Sequence, residues 1–229
     1  MNKNYLIKKS RYDYMIQGLL SALYPNKCLF CKKIMDILSK NTCADCEAAL
    51  QFNGGFGNDI FKDISEIYAA YNYSEEVSAV IYRFKYEGKK TLALPIAHSL
   101  HSSLKDRFIN ADFLLPVPLH KSRLKQRGYN QAAVLAAELG VLMKMPVCDG
   151  MLRIKNTKRQ FDLGPEERLQ NVADAFALKN DFDVTGKDVI LIDDILTTGA
   201  TASQCAKTLK QAGVGSVRLI VFSAITFKT

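Results

Sequence analysis

Residues 189–201 read VILIDDILTTGAT, and this segment is the best guide to the architecture of the chain. Its four leading apolar residues predict a buried central strand, and two carboxylates follow at the carboxyl end, where ligands bind in open parallel sheets. The next five residues lead into a predicted helix, and they are Thr197, Thr198, Gly199, Ala200 and Thr201. Backbone N–H groups in such a turn converge on one point, and the helix N-terminus adds partial positive charge. The loop therefore suits a phosphate group.

The two acids of this segment are Asp193 and Asp194. Adjacent carboxylates repel one another in an apolar setting, so hydroxyl donors or a cation are expected beside them. The loop is not a Walker A loop, because no lysine follows Gly199, and it is not a G-x-G-x-x-G loop. The structural alternative is an ordinary strand–turn–helix whose exposed acids act as a capping device.

Strand and helix patterns alternate on both sides of this segment. Strands are predicted over residues 64–73, 112–117, 187–193 and 217–225, and helices over 12–24, 74–86, 91–108, 130–145 and 201–212. Ser74 is a predicted N-cap, whereas Gly88 and Gly213 are predicted helix stops. Because strands that alternate with helices need crossover connections, the pattern predicts an α/β fold with a mostly parallel sheet.

The segment at 189–201 resembles the signature with which type I phosphoribosyltransferases bind 5-phosphoribosyl-1-pyrophosphate (PRPP). That signature is an apolar strand, two acids, two apolar residues and Thr-Thr-Gly-x-Thr. The resemblance implies a type I phosphoribosyltransferase fold, which is a mostly parallel twisted sheet flanked by helices. It also implies that Asp193 and Asp194 hold the ribose hydroxyls and that residues 197–201 wrap the 5-phosphate.

Two basic segments precede the acidic strand. Residues 116–131 read PVPLHKSRLKQRGYNQ, and their cations are Lys121, Arg123, Lys125 and Arg127. Arginine can hold diphosphate oxygens in bidentate fashion, so Arg123 and Arg127 are the predicted ligands of the diphosphate, with solvated surface charge as the alternative. His120 beside them is either structural or catalytic. The second segment, 153–168, contains Gly-Pro and lacks periodicity, which predicts a mobile loop that closes over substrate.

Four of the six cysteines form two closely spaced pairs, Cys28-x2-Cys31 and Cys43-x2-Cys46. Two such turns complete a tetrahedral, structural Zn²⁺ site, and redox thiols or an iron–sulfur cluster are the alternatives. The glycine-rich residues 53–58 predict a loop, so a zinc module with an N-terminal helix is placed at 1–58 and the larger domain at 59–229. Cys148 and Cys205 are predicted core residues. The i, i+3 pair His98 and His101 is a weaker metal candidate.

Several motifs resemble the ComF family, named for its link to DNA uptake in naturally competent bacteria. They are Lys85-Tyr-Glu-Gly88, Pro116-Val-Pro-Leu, Arg123-x-x-x-Arg-Gly-Tyr-Asn-Gln131, Arg153-x-x-x-Thr157-x-x-Gln160, Glu167-Arg168-x-x-Asn171-Val172 and the PRPP loop. The resemblance implies that the loop after Pro116 is the pyrophosphate loop and that residues 153–168 form the flexible loop. An N-terminal four-cysteine module is common in that family.

The composition of the chain indicates which classes of partner it can bind and in which cellular compartment it is expected. The net charge of +8 favours polyanionic partners, which include nucleic acid, an acidic membrane face and phosphorylated small molecules. No apolar run is long enough to span a bilayer, and the first residues lack the features of a signal peptide. These observations predict a cytoplasmic protein, with association to the inner face of the membrane as a further option.

Three functional hypotheses follow. The first is a PRPP-binding ComF-type protein that assists DNA uptake in natural transformation, with single-stranded DNA and proteins of the uptake machinery as partners. The alternative is an active, Mg²⁺-dependent phosphoribosyltransferase that moves ribose 5-phosphate from PRPP to an amine or nucleobase acceptor. The third is a scaffold without a ligand. The sequence contains no readable acceptor pocket, and no aromatic nucleic-acid signature.

Overall fold

A five-stranded sheet forms the centre of the computed structural model, which describes residues 27–35, 41–50, 56–57, 61–104, 107, 110–156 and 174–225. Its strands are β1 (Phe56–Gly57), β2 (Glu66–Asn72), β3 (Phe113–Pro116), β6 (Asp188–Leu196) and β7 (Ser216–Ala224). The order across the sheet is β1-β2-β7-β6-β3. All neighbours run parallel except β1, which pairs with β2 in the antiparallel direction. The predicted mostly parallel sheet is confirmed.

Helices cover both faces of this sheet. They are α1 (Ala44–Ala49), α2 (Glu75–Tyr86), α3 (Ala93–Ser103, after a 3₁₀ turn at Lys90–Leu92), α4 (Lys121–Arg127), α5 (Gln131–Met143) and α6 (Ala200–Gln211). Successive residues of a strand point to opposite faces. Accordingly, Val189 and Leu191 of β6 pack with α6, whereas Ile190 and Ile192 pack in the core that contains α2, α3 and α5. The predicted core residues Cys148 and Cys205 are both fully buried.

The predicted helix ends agree with the structure where local capping is strong. Ser74 accepts a hydrogen bond from the Val77 amide at 3.4 Å, and Asn130 accepts one from the Ala132 amide at 3.1 Å. The helix predicted over 91–108 was drawn too long. It ends at Ser103, where the Leu104 amide bonds to the Leu100 carbonyl and also, in the tighter 3₁₀ manner, to the His101 carbonyl. The predicted helix at 12–24 lies outside the described residues.

Three short strands in antiparallel pairings were not anticipated. Phe56 and Gly57 form β1 at the edge of the main sheet, although the glycine-rich stretch 53–58 was predicted as a loop. Strands β4 (Met151–Arg153) and β5 (Phe176–Leu178) form a separate small sheet. Strands this short carry almost no periodic signal, so pairing with a neighbour determines them rather than local pattern.

The described cysteine segment packs against the sheet rather than standing apart from it. The Phe30 ring lies 5.1 Å from that of Tyr71 and 6.3 Å from that of Phe222, measured between ring centroids. The guanidinium of Arg83, which is buried in α2, donates to the Leu29 carbonyl at 2.6 Å. The segment therefore shares its hydrophobic core with α2 and β7. The domain boundary at residue 58 stays a prediction.

Candidate functional site

A cavity of about 790 Å³ opens at the carboxyl edge of the parallel sheet. Its lining includes Tyr73 after β2, Val117 after β3, Leu196 at the end of β6 and Ile225 after β7. The location is the one where open α/β sheets bind ligands, and the volume falls within the usual range for small-molecule sites. Most of the residues predicted as ligands from the sequence line this cavity.

Asp193 and Asp194 lie on β6 beside the point where its pairing with β3 ends at Ile192. The strand itself continues to Leu196, so the predicted end at Asp193 was wrong. The reason is that β7 keeps pairing with β6 as far as Leu196 and Ala224. On one side of β6, pairing with β7 holds the backbone of the two acids in place. On the other side β3 has already ended, and there the acids line the cavity.

A lysine supplies the cation that the acidic pair requires. Lys85 of α2 places its Nζ 2.8 Å from Oδ1 of Asp194, which is only 5% exposed. Lys85 belongs to the family motif at 85–88, but it was not predicted as a site residue. The signal was present, since a buried carboxylate needs a partner. Nothing in the local sequence, however, identifies a residue on another element as that partner.

The neighbouring acid has an unusual protonation equilibrium. Burial raises the pKa of Asp193, the charge of Asp194 raises it further, and Lys85 opposes both effects, so that the pKa lies at about 7. The Asp194 amide donates to Oδ1 of Asp193 at 2.8 Å, which also favours the charged form. A bound cation near this carboxylate would lower its pKa again, so ligand binding and ionisation of Asp193 are expected to be coupled.

Replacing Asp193 by asparagine is expected to stabilise the folded protein at neutral and alkaline pH. The pKa of this acid is higher in the folded than in the unfolded state, so its ionisation costs stability as the pH rises from about 4 to about 7. The gain in melting temperature of Asp193→Asn should therefore grow between pH 5 and pH 7 and level off above. Asp183→Asn is the control, because a hydrogen bond from the Thr185 amide lowers the pKa of Asp183 and that variant should lose stability at pH 7. A gain from Asp193→Asn that does not depend on pH would contradict this explanation.

The threonine loop connects β6 to the N-terminus of α6. Gly199 occupies the N-cap position with φ of 74°, in the left-handed region. A Cβ atom there would lie 2.2 Å from Cε1 of Phe61, so both the backbone and the packing require glycine. Four of the five predicted cradle residues line the cavity, namely Thr197, Gly199, Ala200 and Thr201. Among the described residues, Thr198 is not part of the lining, and its hydroxyl oxygen is buried without a hydrogen-bond partner.

Gly199→Ala is expected to lower the free energy of unfolding by about 2–5 kcal/mol and to distort the loop. This loss has two parts: a left-handed backbone costs a residue with a Cβ atom about 1–2 kcal/mol, and overpacking against Phe61 costs about 1–3 kcal/mol. Gly88→Ala is a matched control, because Gly88 has φ of 65° but no atom within 4 Å of its Cβ position. That variant should show the strain alone. Denaturant titration of both variants measures the difference, and equal losses would mean that Phe61 does not restrict the loop.

The basic segment after Pro116 is partly helical, which corrects its prediction as a loop. His120 caps α4 by accepting from the Ser122 amide at 3.2 Å, and Gly128 ends the helix with φ of 77°. His120 thus has a structural role here. The i, i+4 spacing places Arg123 and Arg127 on one face. Both line the cavity, whereas Lys121 and Lys125 are exposed and are not among its described lining residues.

Arg127 is held in place by two neighbours. It donates to Oε1 of Gln131 at 3.0 Å and to the Tyr86 hydroxyl at 3.3 Å, and its guanidinium lies 5.0 Å from the Tyr86 ring centroid. Asn130 fixes the start of the next helix and donates to the Val117 carbonyl at 3.0 Å. The motif at 127–131 therefore orients one cation and anchors the loop that carries it.

Arg153 was predicted in a mobile loop, but it belongs to β4 and is 7% exposed. Its guanidinium lies 5.3 Å from the ring centroid of Phe176, the residue opposite it on β5. Burial lowers the pKa of Arg153 to about 10, and the charges of Arg123 and Arg127 act in the same direction. Arg153 also lines the cavity, so it adds a third arginine to the site. Residues 157–168 of the predicted flexible loop lie outside the described residues.

The four paired cysteines converge in space. The sulfur atoms of Cys28, Cys31, Cys43 and Cys46 all lie within 4.8 Å of one another, and all four thiols are free of disulfides. Cys31 Sγ and Cys43 Sγ are 3.6 Å apart. That separation is far too long for a disulfide and close to the edge of about 3.8 Å that four sulfurs at 2.3 Å from a zinc ion would span. The cluster can hold a metal ion.

Backbone amides support a charged thiolate in this cluster. Burial acts to raise the pKa of Cys28, but hydrogen bonds from the amides of Cys43, Cys31 and Phe30 lower it to about 6. The Cys43 amide donates to the Cys28 sulfur at 3.4 Å. Within the described ranges, His98 and His101 belong to no comparable group of metal ligands. Each helix in the described parts of the chain is too short or too polar to cross a membrane.

Comparison with known proteins agrees with this geometry. The model of the phosphoribosyl transferase domain matches residues 124–224, which together with the parallel sheet confirms the predicted type I phosphoribosyltransferase fold. Competence protein F of Haemophilus influenzae is 30% identical over 215 residues, which cover 89% of this chain and 92% of that protein. Competence protein ComFC of Bacillus subtilis is 31% identical over 66% of this chain and 62% of its own length. DNA utilization protein YhgH of Shigella flexneri is 26% identical over 65% of this chain and 67% of its own length.

Proposed function

Because the chain belongs to the ComF family of competence proteins, we propose that it binds PRPP in the cavity at the sheet edge and assists DNA uptake in natural transformation. One observation carries the first half of this proposal. A single cavity brings the acid pair, the threonine loop and the arginines of α4 together. PRPP carries ribose hydroxyl groups between a 5-phosphate and a diphosphate. It therefore matches an acid pair that lies between an amide-rich loop and a pair of arginines. The second half is supported by the names of the relatives, which concern competence and DNA utilization.

Each group has a role in this proposal. The loop of residues 197–201 binds the 5-phosphate, Asp193 and Asp194 accept hydrogen bonds from the ribose hydroxyls, and Arg123 and Arg127 bind the diphosphate. Lys85 balances the charge of Asp194 through their ion pair at 2.8 Å. Mg²⁺ fits this donor set, since it is commonly held by one or two carboxylates together with substrate phosphates. When bound, it would neutralise the diphosphate charge.

Isothermal titration calorimetry with PRPP and Mg²⁺ tests the binding half. We expect one site per chain and a markedly weaker affinity for ribose 5-phosphate, which cannot engage Arg123 and Arg127. A titration of wild-type protein that gives no heat at several temperatures would remove PRPP from the proposal. Equal affinities for the two ligands would instead remove the arginines from their assigned role.

Phosphoribosyl transfer is a second candidate, favoured by the extent of the cavity. Beyond the loop and the acids, the lining continues to Ser78, Tyr82 and Gln126, which leaves room for an acceptor beside PRPP. The test is the release of pyrophosphate from PRPP and Mg²⁺ across a panel of nucleobases and amines. Acceptor-dependent release would favour the enzyme, whereas tight binding without turnover would favour an accessory role.

The zinc module and the partners complete the proposal. We propose structural Zn²⁺ at Cys28, Cys31, Cys43 and Cys46, a module at 1–58 followed by the phosphoribosyltransferase domain at 59–229, and a cytoplasmic location with access to the inner face of the membrane. Single-stranded DNA and proteins of the uptake machinery are the proposed partners. Fluorescence anisotropy with a labelled single strand at two salt concentrations tests direct DNA contact. Binding should strengthen at low salt, because phosphate contacts release counterions.

A further inference from the structure

Two exposed tyrosines form a ridge on α2. Tyr82 and Tyr86 lie one helical turn apart and are 59% and 53% exposed. Their ring centroids are 5.1 Å apart, with an interplanar angle of 45°. The guanidinium of Arg127 rests on the Tyr86 ring at 5.0 Å. Large aromatic rings gain little by facing water in this way, and rings backed by a cation are suited to stacking with a planar, electron-rich partner.

The tyrosine ridge lies between two depressions. On one side is the cavity at the sheet edge, which Tyr82 and Tyr86 both line. On the other is a groove of about 530 Å³ between α2 and the cysteine segment, lined by Phe30, Lys32, Ser78, Ala79, Tyr82, Arg83 and Glu87. Ser78 and Tyr82 line both. The two depressions therefore adjoin each other at the ridge, and together with it they define a path from the cysteine segment to the cavity at the sheet edge.

Positive charge lies at both ends of this path. Lys32 is exposed at the end formed by the cysteine segment, and Arg123 and Arg127 lie at the other end. Glu87 contributes the negative charge in the groove, and it is paired with Lys89 at 2.6 Å. Aromatic rings between cations are the combination with which proteins hold unpaired strands, since bases stack on the rings while phosphates contact the cations.

We propose that this path, from the cysteine segment over Tyr82 and Tyr86 to the mouth of the cavity, binds single-stranded nucleic acid. The inference rests on the DNA contact in the proposed function and assigns that contact to a surface. The two rings account for a preference for single strands, because a duplex does not offer its base faces for stacking. A membrane or an acidic protein would be attracted by the cations alone and would not need the rings.

The test compares matched variants of the full chain with labelled oligothymidine and with a duplex of equal length. Tyr82→Ala with Tyr86→Ala should weaken single-strand binding about 10-fold or more and leave the slope of log K against log salt unchanged, because stacking involves no counterion release. Tyr82→Phe with Tyr86→Phe should retain most of the affinity. Lys32→Ala should reduce the salt slope for the single strand by about 0.7, whereas Lys207→Ala on the exposed face of α6 should not.

Four results of these binding measurements would contradict the proposed path. Wild-type protein that binds no single strand at low salt would contradict both DNA contact and the path. Wild-type binding with full affinity in the double alanine variant would contradict the path alone, as would an equal loss in the phenylalanine variant. Duplex or anionic vesicles bound as tightly as single strands, without dependence on the rings, would assign the surface to another partner. Melting temperatures of all variants check that the exposed substitutions leave the fold intact.

Discussion

Asp193→Asn combined with Asp194→Asn is expected to weaken PRPP binding about 100-fold or more while the protein stays folded. Hydrogen bonds to a charged group contribute about 1.5–3 kcal/mol each, and every 1.4 kcal/mol corresponds to a factor of about 10 in affinity. Loss of two such acceptors therefore exceeds any effect expected from the surrounding residues. Asparagine keeps the size of the side chain and removes its charge. Calorimetric titration with PRPP and Mg²⁺ gives the affinity.

The control for this experiment is Asp149→Asn. Asp149 pairs with Lys179 at 2.8 Å and is not among the described lining residues of the cavity. Its replacement should leave PRPP affinity unchanged. The double variant relieves the repulsion between the two carboxylates but also removes the ion-pair partner of Lys85, so its melting temperature is measured to check that it stays folded. Wild-type affinity in the double variant would show that the ribose is held elsewhere.

Removal of the metal is expected to have the largest effect on stability. Structural zinc sites in small peptides contribute about 10–16 kcal/mol, and the proposed zinc would here also hold part of the core. Phe30 lies between the two cysteines of the first pair and contacts both Tyr71 and Phe222, so loss of the metal would loosen that aromatic cluster. Chelation or Cys28→Ser should therefore lower the melting temperature of the whole chain in a single transition. Zinc content measured by atomic emission should fall from one equivalent to none.

Cys148→Ala separates metal loss from a general loss of packing. Cys148 is fully buried in the core of the larger domain and is not part of the four-cysteine cluster. The variant should lose some stability but retain its zinc. Zinc retained by Cys28→Ser, or a melting temperature unaffected by chelation, would contradict a structural metal at this position.

The parts of the molecule that could be predicted from the sequence are those encoded locally. Strand β6, the acids on it and the loop that follows lie within fourteen consecutive residues, so their pattern is visible without any tertiary information. The two cysteine pairs are also local, because each pair is set by one tight turn. Ser74 was identifiable as a cap for the same reason, since capping depends on a side chain and an amide three residues away.

The parts that could not be predicted depend on contacts between distant segments. Lys85 reaches Asp194 only because α2 packs beside the end of β6. Arg153 is buried beside Phe176, its partner on the neighbouring strand β5, and its guanidinium packs against the Phe176 ring. Helix α4 in the basic segment 116–131 was not predicted, because its many charged residues show no apolar periodicity. Its N-cap is His120, and histidine is not among the residues preferred at that position. Burial and pairing across the fold overrode local pattern at each of these positions.

A crystal structure with PRPP and Mg²⁺ tests the proposed site most directly. We expect phosphate oxygens of the 5-phosphate about 2.7–3.2 Å from the amide nitrogens of the loop at 197–201, with the ribose hydroxyls bound to Asp193 and Asp194. A loop without ligand in crystals that hold PRPP at another surface would contradict this expectation.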